Sequence, residues 1–343
     1  MGAATMTTRP GRTNGRKLAL KLAFSAVVVA ALVALVPWAA LTAALAGFPP
    51  LTFALVVALF LACHLFGAFK WRMVIAQAGA RLPARTAIEC YGAGLFANLF
   101  LPSIVGGDAL RALLAGRRSG RMEGAILGGT ADRLLDLVAL GVLALTASAF
   151  VGSGRDGMGG TLLVVGVSLA AIGALVAGVV ALRLPLRRWP ARLRRRIAQV
   201  LVALRRQGRR PSVLVRSLLG GVVMQGALVA LNALLGRALG LEAPPSAWVF
   251  AWALAKLAGL LPASFNGIGV RDGVFAVLFA PLVVAVAGTP AASLPLADVR
   301  ARALAVSFLW QGVLIVGSLL CGAVWVALRR GAPQLRELEV RHG

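Results

Sequence analysis

Two apolar segments interrupted by proline and glycine constrain this chain more than any other feature. The first is NLFLPSIVGGDALR, Asn98 to Arg111, and the second is LPASFNGIGVRDG, Leu261 to Gly273. Each carries an apolar run into Leu-Pro, then a serine, glycines, an acid and an arginine, with the last two in opposite order. Pro102 and Pro262 stand 160 positions apart (262 − 102). Proline removes a backbone donor and ends a helix, while glycine permits turns closed to other residues. At membrane depth, irregular backbone survives only inside protein or against a wet cavity. Broken apolar segments at matching places in two halves therefore point to a transport site. Kinked helices are the plain alternative, because glycine and proline are frequent in membrane spans.

The rest of the chain sets these segments in a bilayer. Hydrophobic residues make up 59% of it before its 40 glycines are counted, against about 45–50% with glycine in soluble domains. Several runs approach the length that crosses a hydrocarbon core. The expected fold is an all-α polytopic membrane protein of about six to eight spans, with two broken or re-entrant segments and room for an inverted repeat. A net charge of +25 would suggest nucleic acid in a soluble protein. Here the collection of Lys and Arg in cytoplasmic loops accounts for it, and no nucleic-acid partner is expected. Cys63, Cys90 and Cys321 lie in apolar segments and imply no disulfide framework.

Charge also orders the topology. Residues 1–17 read as a basic cytoplasmic tail and residues 18–330 as one integral membrane domain, followed by a short cytoplasmic tail, 331–343. The first apolar run, Leu18 to Trp38, lacks a small-residue cleavage site and reads as a retained span. A second span, Leu51 to Phe69, returns to Lys70, Arg72, Arg81 and Arg85 inside. The stretch Thr86 to Asp108 has basic residues on both flanks, so it enters and leaves on the cytoplasmic side as a hairpin. Spans at Glu123 to Val151 and Thr161 to Leu182 go out and back. Segment 183–212 is basic, with an apolar helical stripe suited to the inner leaflet. Val213 to Leu235 exits, and Ala303 to Leu328 returns. Between them, Trp248 to Leu261 and Val274 to Val286 form either a second hairpin or two spans broken at Pro262. On the hairpin reading the second break enters from the face opposite the first, as alternating access requires.

Charges within the apolar regions are few. Asp108 and Arg111 follow the first break, and Arg271 and Asp272 follow the second. Asp132, Arg133 and Asp136 lie in the span after the first hairpin, and Lys256 precedes the second break. Intramembrane ions are costly and face the interior in pairs. Asp132 and Asp136 share a helix face and require a cation nearby, for which Arg111 and Arg271 are the natural candidates. Both arginines also suit phosphate, whose oxygens a guanidinium matches bidentately. An ion-pair brace between helices is the structural alternative. His64 reads as a satisfied core histidine, Glu89 as interfacial, and Gln225 and Asn232 as hydrogen-bond links between helices.

No Walker loop, zinc spacing or nucleophile elbow is present, so no cofactor, metal or catalytic residue is assigned. Three functions remain open. The chain can move a lipid with an anionic head group, act as a transferase on a lipid phosphate, or accompany a separate lipid-modifying enzyme.

The broken segments and their charges resemble those of the membrane region of bacterial lysylphosphatidylglycerol synthases and related flippase-like proteins. The residues carrying this resemblance are Asn98, Pro102, Gly106, Gly107, Asp108, Arg111, Asp132, Arg133 and Asp136. Pro262, Ser264, Asn266, Gly267, Gly269, Arg271 and Asp272 continue it in the second half. The resemblance implies an integral protein of the bacterial cytoplasmic membrane, and the basic flanks at both ends place both termini inside. Larger members of that family move aminoacylated phosphatidylglycerol between leaflets and carry a soluble domain that makes it. Other relatives act near polyprenyl-linked lipids. Only a short polar tail follows residue 330 here, so synthase activity is not expected. The residues above, apart from Ser264, are the expected lipid-binding set.

Overall fold

The computed structural model describes residue 42 and residues 46–100, 104–151, 211–259, 270–285 and 293–341. Among them are eight helices and no strands: α1 Pro50–Gln77, α2 Ala84–Ala97, α3 Ile104–Ser119, α4 Met122–Val151, α5 Pro211–Ala238, α6 Pro245–Ala258, α7 Val270–Ala285 and α8 Leu296–Arg341. Three of them, α1, α5 and α8 over Leu296–Ala327, are long and apolar enough to cross a membrane. Large apolar side chains such as Leu51, Phe66, Leu219, Val223 and Ile315 point outward from these three helices, as a surface solvated by lipid requires. The chain folds as a helical membrane protein. Span Leu18 to Trp38, span Thr161 to Leu182 and most of the basic segment 183–212 lie outside the described residues.

Helix ends follow local chemistry, and they repeat. Both α1 and α5 begin on a proline, Pro50 and Pro211, whose missing N–H costs nothing in a first turn. Both end on a left-handed glycine, Gly79 (φ 107°) and Gly240 (φ 70°). In each case the glycine N–H reaches back three residues and the next N–H reaches back five: Ala80 to Ile75 at 2.9 Å, and Leu241 to Gly236 at 2.8 Å. That bond pair is the Schellman termination, which needs positive φ at the glycine. Pro83 and Pro244 then precede α2 and α6, each of 14 residues. All these equivalents are separated by 161 positions (211 − 50, 240 − 79, 244 − 83). Residues 50–97 and 211–258 are thus two copies of one helix-turn-helix unit.

Each short helix is followed along the chain by a second one of 16 residues, α3 or α7. At 1.5 Å per residue such helices reach only about 21–24 Å, short of a hydrocarbon core about 30 Å thick. Accordingly α2 packs against α3, and α6 against α7. The halves interlock: α2 lies on α8 of the second half, and α6 lies on α4 of the first. At the centre α1 and α5 cross antiparallel, Gly67 meeting Met224 while Gly220 meets Lys70 and Phe66. The crossing falls near His64 and Gln225, themselves 161 apart (225 − 64). Antiparallel crossing of equivalent helices makes the two units an inverted repeat.

Glycines let the long helices approach closely. A Cβ on Gly128 of α4 would lie 2.6 Å from the Cα of Ile75 in α1, whereas one on Gly226 meets nothing within 4 Å. Gly128→Ala is therefore expected to cost about 1–3 kcal/mol, read as a lower unfolding temperature in detergent, with Gly226→Ala unchanged.

Candidate functional site

The charged residues that the sequence scatters through the first half converge beside the α1/α5 crossing. Asn98 caps the break after α2: its Oδ1 accepts the Gly107 N–H at 2.9 Å across residues 101–103. A Cβ at Gly107 would strike Gly94 O and the Asn98 side chain, so α2 and α3 meet through glycine alone at that point. Gly106 is half-buried beside it in the first turn of α3. One turn further, α3 delivers Asp108 and Arg111 to the interior.

Arg111 is 4% exposed. Its guanidinium lies over the neighbouring rings of Trp71 and Tyr91, 5.0 Å from each centroid. Its Nη2 stands 3.4 Å from Asp108 and 3.7 Å from Asp132, yet it makes no hydrogen bond. Asp108 is committed elsewhere, accepting from Nε and Nη2 of Arg133, the latter at 2.7 Å. This fork-to-carboxylate geometry fixes both side chains.

The cation between Asp132 and Asp136 is Lys70, whose Nζ donates to the two carboxylates at 2.7 and 2.6 Å. This corrects two expectations. Lys70 does not begin a solvated flank, because α1 continues through Trp71, Val74 and Ile75 to Gln77 and buries it. Nor does Arg271 approach the aspartate pair: its Nη2 donates to Asp272 Oδ1 at 2.9 Å, and Gln311 Nε2 donates to Asp272 Oδ2 at 3.3 Å. The other candidate, Arg111, does reach Asp132, but only at the longer distance. Pro102, Pro262, Asn266, Gly267 and Gly269 lie outside the described residues.

Around these pairs is a polar cavity of about 60 Å³, walled by Asp108, Arg111, Arg133 and Asp136 from the first half and by Gln225 and Lys256 from the second. Asn98, His64 and Tyr91 add further polar groups to the wall, with His64 Nδ1 3.3 Å from the Tyr91 hydroxyl. Lys256 Nζ donates to Gln225 Oε1 at 2.8 Å, so Gln225 does link two helices. Among the described residues Asn232 bonds only Leu228 O, in its own helix. Glu89 is buried between Arg85 and Arg118, at 3.4 and 3.5 Å. Lys70, Trp71 and Lys256 enter the site from helices that contain no acid, and Tyr91 comes from α2, whose one acid, Glu89, pairs elsewhere. Their only sequence signal is a polar or aromatic residue inside an apolar run.

An apolar groove of about 240 Å³ adjoins the cavity, running between α1, α2 and α8 past Leu61, Leu65, Ile88, Leu320 and Val324. His64, Tyr91 and Leu95 belong to both walls. A charged pocket thus borders an apolar channel, a combination suited to an amphiphile.

Comparison with curated proteins gives no match. Comparison with protein families matches the lysylphosphatidylglycerol synthase TM region over residues 18–298, a stretch containing both short-helix pairs and every residue of the cavity wall. The chain belongs to the family of the lysylphosphatidylglycerol synthase TM region.

Proposed function

We propose that the protein moves a phosphate-bearing lipid between the leaflets of the bacterial cytoplasmic membrane. The observation carrying this reading is the charged cavity at the crossing of two inverted units, bordered by an apolar groove. A head group enters the cavity while its acyl chains stay in the groove or the surrounding lipid. Rocking one helix-turn-helix unit against the other about the α1/α5 crossing exposes the cavity to each leaflet in turn. Asn98, Gly106 and Gly107 hold the first break closed behind the head group. Asp108, Arg111, Asp132, Arg133 and Asp136 set the charge that it meets. Arg271 and Asp272 supply the corresponding charges in the other half. Residues 18–330 act as one membrane domain, with both termini and the basic segment 183–212 on the cytoplasmic side.

The test is head-group translocation in proteoliposomes. Phosphatidylglycerol labelled on its head group should become inaccessible to an external quencher faster than in protein-free vesicles. Equal rates with and without protein would end this reading.

A further inference from the structure

We infer that Arg111 and Lys256 together form a two-point site for one phosphate-type oxyanion, with Gln225 holding Lys256 in place until the anion arrives. The inference rests on the transport reading only for the identity of the anion as a lipid head group. Arg111 supplies the first observation: a side chain 4% exposed, lining the cavity, with a buried Nη2 that no acceptor satisfies. Leaving a buried charged donor unmade is costly, and a site that does so fits an absent acceptor. Lys256 supplies the second. Among the described residues its Nζ bonds only the neutral Gln225 oxygen and has no carboxylate partner, and it lies 5.8 Å from the Trp252 ring centroid.

Charge balance sets the valence. The cavity wall carries Arg111, Arg133 and Lys256 against Asp108 and Asp136. Adding the buried pair Lys70 and Asp132 leaves the same surplus of one cation. Arg133 is bound bidentately by Asp108 and Lys70 by two aspartates, so the surplus resides on Arg111 and Lys256. One negative charge completes the cavity, whereas a second would stand unpaired in a buried place.

The two cations come from opposite halves: α3, which carries Arg111, packs on α2 of the first unit, and α6, which carries Lys256, belongs to the second. At the position in α2 equivalent to Lys256 stands Leu95 (256 − 95 = 161), so this charge breaks the repeat's symmetry. An anion gripped by both cations ties the two units together, and its departure frees them to move.

The experiment uses delipidated full-length protein in nonionic detergent, with phosphatidylglycerol, phosphatidylcholine and inorganic phosphate as probes. Retention is read by native mass spectrometry, and stabilisation by thermal unfolding. Phosphatidylglycerol should bind above phosphatidylcholine, and Lys256→Gln should weaken it about tenfold. Lys256→Arg should restore it, and Arg300→Gln, at an exposed arginine, should leave it unchanged. Stabilisation by inorganic phosphate alone, with the same Lys256 dependence, would keep the oxyanion site and overturn the lipid as its source. Lys256→Gln binding phosphatidylglycerol as the parent does, while folding normally, would overturn the site. Transport that persists in that variant would leave the proposed function standing, and Lys256-dependent binding without transport would do the reverse.

Discussion

Lys70→Met is expected to abolish accumulation of folded protein, the largest single-residue effect in this molecule. The Lys70 side chain is 3% exposed and neutralises Asp132 and Asp136 at once. Removing one partner from a buried ionic cluster costs about 3–5 kcal/mol, because the remaining charges lose their compensation without regaining water. That is a large share of the roughly 5–15 kcal/mol by which folded domains are stable. Asp132 retains only the 3.7 Å approach of Arg111, and Asp136 has no other ion pair among the described residues. The measurement is the monodisperse fraction after detergent extraction, together with its unfolding temperature. Lys70→Met combined with Asp132→Asn and Asp136→Asn should recover most of the loss, since no charge is then stranded. A single Lys70→Met protein as stable as the parent would show that water reaches the cluster and that the brace is unimportant.

Helix identity was legible from apolar length. Glu123 to Val151 anticipates α4 to within one residue, and the Leu-Pro breaks divide the chain where the short helices meet. The repeat was visible only in part. The prolines at the breaks give 160, while the helix starts and the glycine caps give 161, because equivalence is carried by backbone geometry rather than by the break residues. What sequence could not supply was partner choice. Within one helix, Asp132 and Asp136 have readable neighbours at three and four positions. Their actual cation lies 62 positions away from Asp132. The positive-inside rule assigns a lysine at the end of an apolar run to the cytoplasm. Lys70 escapes that rule because no breaker follows it before Gly79, so the helix carries it inward. Arg271 fails as a partner for the opposite reason: an acid at the adjacent position captures it.

Asp108→Asn should separate binding from transport. Asp108 accepts both donors of the Arg133 fork and stands 3.4 Å from Arg111. Neutralising it frees Arg133, whose side chain is 43% exposed, so the variant avoids the stranded buried charge that threatens Lys70→Met. The cavity surplus then rises from one cation to two, and an anionic head group gains a further charge-assisted partner. Retention of phosphatidylglycerol should increase, on the order of tenfold for an added charged hydrogen bond. Translocation should fall by a similar factor, because the head group must leave as well as enter and stronger binding in one state deepens the well from which it escapes. Asp108→Glu, which keeps the charge, should remain near the parent in both measurements. Native mass spectrometry and proteoliposome rates on the same preparation decide the matter. Weaker retention in Asp108→Asn would mean that Asp108 is needed to hold Arg133 and Arg111 in the geometry that meets the phosphate, and that the freed charge adds nothing.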